Sequence, residues 1–152
     1  MNLLTEGRKA LIARLAMIQV VNGYSTQAGA NVKSGWFNEI IDSAKVAFPL
    51  IVVQKGKGAA PVAAPHALKV LSGFSVVGAV DAGLTGYEDA IEALEQDLLK
   101  CLMPTLAVFH EWLPAGITNI TVGASEHFPP GKGLKAATVL IPVHLHTIIQ
   151  AI

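Results

Sequence analysis

Charge is scarce in this chain and what there is cancels: eleven basic and eleven acidic residues leave a net charge of zero, and charged residues make up 14% of the sequence, against roughly 25% in an average soluble protein. Nothing in that balance recruits DNA or an anionic membrane by long-range attraction, which disfavours a specific nucleic-acid binder. Cysteine is reduced to Cys101, so no intramolecular disulfide can form. It sits inside a strong helical pattern and reads as a small buried hydrophobe, compatible with a reducing cytoplasm. Long apolar runs are missing too. Arg14, Lys45, Asp81 and Lys100 interrupt every stretch that approaches the roughly 18 to 20 residues of a membrane span. Met1 to Gln19 carries Glu6, Arg8, Lys9 and Arg14 at helical spacing, which does not read as a signal peptide.

What the chain has in excess is apolar surface. Hydrophobic residues reach 52% and the mean hydropathy is +0.50 over 152 residues, a length that suits one domain with a sizeable core. With no membrane segment to absorb it, surplus apolar surface is expected to be buried against other protein chains. A homo-oligomer is the expectation.

Periodicity then places the elements. Leu4, Leu11, Ile12, Leu15 and Ile18 share one face, predicting an amphipathic helix over 3–20 that ends at Asn22-Gly23. An uncharged, Gly-containing connector follows, and Asn31 to Trp36 reads as a short strand. Phe37 to Phe48 reads as a short helix or irregular loop closed by Pro49. Leu50 to Gln54 is a β-branched run of buried-strand length. Lys55 to His66 (KGKGAAPVAAPH) reads as a mobile loop. Ala67 to Val80 alternates with two largely apolar faces, predicting a long strand with a bulge near Gly73 or Gly78. Thr85-Gly86-Tyr87-Glu88 has the form of a capping box ahead of a helix over 86–102, whose apolar face is Tyr87, Ile91, Leu94, Leu98 and Leu102. Leu106 to Leu113 reads as a helical turn, Ile117 to Gly123 as a strand, Phe128 to Gly133 as a turn, and Leu134 to Ile149 as a closing strand with Ala137, Val139, Ile141, Val143 and Leu145 inward. Strands in succession with two substantial helices predict an α+β fold: a mostly antiparallel β-sheet with two main α-helices packed on it.

The candidates for chemistry are weak. His144 and His146 point to one face of a strand, but two imidazoles fall short of the three or four protein ligands a zinc site requires, and His66, His110 and His127 lie in separate segments. The pair reads as an exposed or interface strand face. Glu88, Asp89, Glu92, Glu95 and Asp97 read as the solvated face of a capped helix. His110-Glu111 opens like a zinc-protease motif, but Pro114 stands where the second histidine is required. Gly56-Lys57-Gly58 and Gly131-Lys132-Gly133 lack the phosphate-loop pattern. No serine sits in a nucleophile elbow. The residues nominate no catalytic group, metal or cofactor.

The segment specific enough to suggest a family is Leu11-Ile12-Ala13-Arg14-Leu15-Ala16-Met17-Ile18 with the connector Asn22-Gly23-Tyr24-Ser25-Thr26-Gln27-Ala28-Gly29-Ala30-Asn31-Val32. It resembles the N-terminus of tail terminator proteins, the U-type minor tail proteins of long-tailed bacteriophages. The predicted order of elements is similar along most of the chain; the motif-level likeness spans residues 10–35. The Ala/Pro-rich 55–66 segment and the long 103–116 connection depart from the family's pattern. The resemblance implies a structural virion protein of the tail and neck, assembled in the host cytoplasm. Its copies would form a ring, typically hexameric, that caps the tail tube and presents a joining surface to a neck or head-completion protein. DNA would pass through the lumen without specific contact. On this reading Lys55, Lys57 and His66 in the loop and Lys132 in the later turn face the tube or neck, while His144 and His146 contribute to packing between subunits. The competing readings are another neck subunit, such as a stopper or head-completion protein, and a small α+β enzyme or ligand-binding domain. Gene neighbours separate the first from a terminator, since terminators typically lie beside the tail-tube gene.

Overall fold

The computed structural model describes residues 2–43, 46–83, 85–103, 110–131 and 135–152. Its elements in chain order are α1 (Leu3–Leu15), β1 (Val32–Ser34), α2 (Phe37–Ile41), β2 (Leu50–Lys55), β3 (Val62–Ala64), β4 (Ala67–Asp81), α3 (Tyr87–Leu102), β5 (Ile117–Val122), β6 (Glu126–Phe128) and β7 (Ala136–Gln150). The seven strands form one sheet in the order β1-β2-β4-β7-β5, with β3 added beside β4 and β6 beside β7. Among the described residues only β1 and β2 pair in parallel, and every other ladder is antiparallel. The α+β architecture expected from the strand and helix pattern is the one observed.

Two fifteen-residue strands form the spine. β4 and β7 pair without a register break from Ala67↔Gln150 to Asp81↔Ala136, so the bulge expected near Gly73 or Gly78 is not there. Those glycines answer to close approach instead. A Cβ on Gly73 would stand 2.3 Å from the Lys57 carbonyl oxygen, and one on Gly78 would stand 2.9 Å from a Leu94 methyl. The irregularity in the sheet lies at the other edge, between Ile117 and Asn119 of β5.

The period-2 pattern sorts side chains onto two cores. On one face Phe74, Val76, Val80, Val139, Ile141, Val143 and Leu145 pack under α1 and α3, which contribute Leu11, Leu15, Ile91, Leu94, Leu98 and Leu102. On the other face Leu50, Val52, Val77 and Ala79 meet Phe37, Ile40 and Ile41 of the short α2. Burying one such aliphatic side chain is worth about 1.5 to 3 kcal/mol, which is why both faces of β2 hold: Leu50 to Val53 are all at most 2% exposed. This matches the buried strand predicted for Leu50 to Gln54.

Helix boundaries moved for identifiable reasons. α1 stops at Leu15 rather than at residue 20. Met17 and Ile18 turn back onto Arg14 and Leu15 in tighter bonds, and the Ile18 carbonyl then accepts the N–H of Gly29 at 2.7 Å. The turn that follows α1 thus takes up helix carbonyls left without partners, and the connector is tied to that turn. Only glycine fits there, since a Cβ on residue 29 would lie 2.5 Å from the Ala16 oxygen. Asn22-Gly23 ends a separate 3₁₀ turn, Val20–Asn22, with Gly23 at φ 93°. Gly86, in the left-handed region, occupies the cap position before α3 and supplies no side-chain cap; Thr85 lies one position too far out, so the predicted capping box does not form. Its apolar face is as predicted.

The 55–66 tract is not a loop throughout. Val62–Ala64 folds back as β3 on Lys69–Ala67 of β4, and the Gly56 N–H donates to the Gly73 carbonyl at 3.0 Å. Phe128, expected in a turn, ends β6. Half of the helical turn expected over 106–113, residues 106–109, lies outside the described residues, as do residues 132 and 133 of the expected 128–133 turn.

Candidate assembly surfaces

Three of the residues nominated from sequence converge on the open half of the β4–β7 face. β7 sets His144 opposite Gly73 and His146 opposite Leu71. Because residue 73 has no side chain, the Lys57-Gly58 backbone lies directly over the sheet, and the His144 ring donates from Nε2 to the Lys57 carbonyl at 3.0 Å. Loop and histidine were nominated separately; the fold joins them. His146 pairs through Nε2 with the Thr121 hydroxyl on neighbouring β5 at 2.5 Å. Burial pushes its pKa below the ordinary 6.5, and the charges of Lys69 and His144 push it further the same way. Each histidine is engaged by the protein, and among the described residues no three groups stand where they could hold a metal ion.

The other nominated residues are dispersed. Lys55 is exposed at the end of β2, with its ammonium 5.3 Å from the centre of the Phe74 ring, an attraction of cation to π face. His66 forms the tight turn between β3 and β4 at φ 58°, and its carbonyl accepts the Ala151 N–H at 2.7 Å. Lys132 lies outside the described residues.

One residue assigned to the solvated face of α3 belongs elsewhere. Asp97 is fully buried. Its carboxylate accepts the N–H groups of Ser25 at 3.1 Å and Thr26 at 2.7 Å, clamping the connector onto α3. Helical spacing carried the signal: position 97 falls three after Leu94 and four before Cys101, both buried, so it shares their inward face. Beside it, the Arg14 Nε donates to the Cys101 carbonyl at 3.0 Å while the Cys101 thiol donates to the Arg14 carbonyl at 3.2 Å. Burial raises the Cys101 pKa, and burial with the Cys101 hydrogen bond raises that of Tyr24. The cysteine is buried, as its helical setting suggested. Glu88, Asp89 and Glu92 are exposed as expected, and Glu95 lies 3.0 Å from His127 on β6.

Open grooves among the described residues include one of about 240 Å³ between α3, β6 and β7, lined by Tyr87, Glu88, Ile91, His127, Phe128, Pro129, Ala137 and Thr138, and two larger ones. One of about 460 Å³ is lined by Asn2, Thr5, Glu6, Lys9 and Pro114 at the start of α1. The other, about 360 Å³, lies where the connector, the Phe48-Pro49 corner and α3 meet, lined by Ser25, Thr26, Gln27, Phe48, Pro49, Val80, Asp81, Ala90 and Ala93. Neither lining holds a histidine or cysteine, so neither presents a hydroxyl beside an imidazole base of the kind nucleophilic catalysis uses. No helix among the described residues is long and apolar enough to cross a membrane.

Exposed apolar side chains are distributed over both ends of the molecule. Met17, Val20, Val21 and Met103 are 47%, 60%, 83% and 59% exposed where α1 and α3 end, and Val62, Leu68 and Ile149 protrude at the far tip of the β3–β4–β7 ladder. No protein-family model matches the sequence, and no curated protein matches it. Among solved structures the chain is similar to a chain in the virion of native gene transfer agent (GTA) particle, at 12% identity, with a TM-score of 0.61 and 93% of each chain covered. At that identity the likeness is one of fold, and it extends over nearly the whole of both chains.

Proposed function

We propose that this protein is a structural virion subunit, a tail terminator whose copies close into a ring, hexameric by the family's habit, on the head-proximal end of a phage tail tube. The observation that carries the reading is the fold shared with a chain of the GTA particle over 93% of both chains. The resemblance of residues 10–35 to tail terminators supports it independently. Both α1 and the connector in that segment are held by specific contacts, Gly29 against the end of α1 and Asp97 against Ser25 and Thr26.

The physical case for a ring rests on surface. A neutral subunit with few charges and exposed Val21, Val62 and Met103 needs partners of its own kind, and side-to-side heterologous contacts close by rotation into a ring. In this reading Lys55, Lys57 and His66, together with the turn containing Lys132, face the tail-tube protein or the neck and head-completion protein, and the His144 and His146 strand face contributes to packing between subunits. DNA passes through the lumen without specific binding. The protein is not an enzyme and takes no cofactor.

Negative-stain microscopy of the protein alone and mixed with tail tubes tests this directly. The expected image is a ring seated on one end of the tube, with tube growth arrested there. A ring that binds head vertices and ignores tubes would make the protein a different neck subunit. A protein that stays monomeric and leaves tubes uncapped would sink the proposal.

A further inference from the structure

The two ends of β4 carry opposite surface chemistry. At its start, β2 has already ended at Lys55↔Phe74, and the β3–β4 hairpin continues alone beside β7. Val62 and Lys69 face each other across that hairpin, so they share one face, and both are exposed. No acidic residue occurs from Val62 to Val70, where Lys69 is the cation, so the projecting hairpin is apolar and basic; Lys135 stands at the other end of the sheet, its carbonyl accepting the Ala82 N–H at 2.7 Å. At the finish of the same strand, Val80 and Asp81 enter the 360 Å³ groove, with Ala90, Ala93, Phe48 and Pro49 supplying apolar walls. Asp81 accepts the Gly83 N–H at 2.9 Å and has no ion pair among the described residues.

Residues 69 and 81 are held about 40 Å apart by an unbroken strand at ~3.3 Å per residue, so this hairpin cannot reach the groove of its own molecule. A second copy offers what the hairpin needs, an apolar slot with an acidic member. We infer that the tip of the β3–β4 hairpin of one copy docks in the groove between α3 and Phe48-Pro49 of the next, Val62 against Ala90 and Ala93, Lys69 against Asp81. Plug and socket on opposite ends of one strand make a heterologous contact, the kind that propagates around a ring. This rests on the ring reading above and refines it: His66, in the hairpin turn, moves to the contact between subunits, leaving Lys55 and Lys57 for the tube or neck.

Charge reversal tests the pairing. Lys69→Glu and Asp81→Lys should each weaken self-association at least about tenfold in sedimentation or light scattering, because like charges then face each other, and the double variant should recover it. Independently, Val62→Cys with Ala93→Cys in a Cys101→Ser background should give a ladder of disulfide-linked copies on oxidation. An oligomer indifferent to both reversals and forming no cross-linked ladder would overturn the docking while leaving the ring standing. A wild-type chain that neither self-associates nor caps tubes would remove both. If Lys69→Glu loosens binding to a DNA duplex and leaves the oligomer unchanged, the hairpin serves a polyanion and the docking is wrong.

Discussion

Asp97 and Thr26 lie 71 positions apart in sequence, and the carboxylate of the first accepts the backbone N–H of the second at 2.7 Å from a fully buried position on α3. The same carboxylate holds Ser25. One side chain thus fixes the route of the connector that wraps the end of α1, shapes the groove beside Phe48 and leads into β1. It is the link by which a helix of the middle of the chain positions its beginning.

Replacing that carboxylate has a defined cost. Asp97→Ala should destabilise the fold by about 2 to 4 kcal/mol, since hydrogen bonds to a charged group are worth about 1.5 to 3 kcal/mol and two N–H groups lose their acceptor. Asp97→Asn, which keeps one acceptor oxygen, should lose less. Urea titration followed by circular dichroism measures both; a loss under about 0.5 kcal/mol for the alanine variant would show that the clamp is incidental.

Gly73 is the seat of the 56–61 segment. Gly73→Val places carbon where the Lys57 carbonyl now lies, 2.3 Å from an added Cβ, and displaces the segment because sheet backbone cannot yield. Trypsin should then cut after Lys55 and Lys57 at least several-fold faster than in the parent, with the midpoint of global unfolding changed less than the local protection. Unchanged cleavage would contradict the seating.

His146 gives the fold a pH dependence of known sign. Its pKa is lowered from 6.5 by burial, then by Lys69 and His144, so the unfolded chain binds its proton more readily than the folded one. Its contribution to stability is therefore complete above pH 6.5 and declines as the pH falls from there through the folded pKa. His146→Gln should flatten the stability profile between pH 7.5 and pH 5, and NMR titration should place the His146 ring below its ordinary range. A ring titrating above 6.5 would reverse the argument.

Cys101 is 1% exposed and its thiol is held up in pKa by burial. An aromatic disulfide reagent at pH 8 should leave the native protein almost unlabelled and modify one thiol per chain in denaturant, since the thiolate is the reacting species. Fast labelling under native conditions would mean that α1 and α3 part readily.

The alternation over 67–80 and 134–149 located β4 and β7 within two residues at each end, because a half-buried strand must repeat every second residue to keep one face dry. The same logic found the face of α3 from Ile91 to Leu102. What it could not supply was the use of each glycine: Gly73 and Gly78 interrupt the alternation as a bulge residue would, yet they mark places where another element comes close. Asp97 was misplaced because its chemistry argued for solvent while its spacing argued for the core, and the spacing prevailed once two backbone donors were there to meet it.

Length, neutrality, the apolar surplus and the identity of the long strands and the principal helix were properties of the sequence by itself, since each rests on composition or on local period. The tertiary structure alone decided which strands are neighbours, that β3 and β6 are added beside β4 and β7, that Lys57 meets His144 across 87 positions, and that Lys69 and the groove holding Asp81 stand at opposite ends of β4. These depend on pairings between distant segments, whose register is set by the simultaneous packing of two cores and not by any stretch of chain alone.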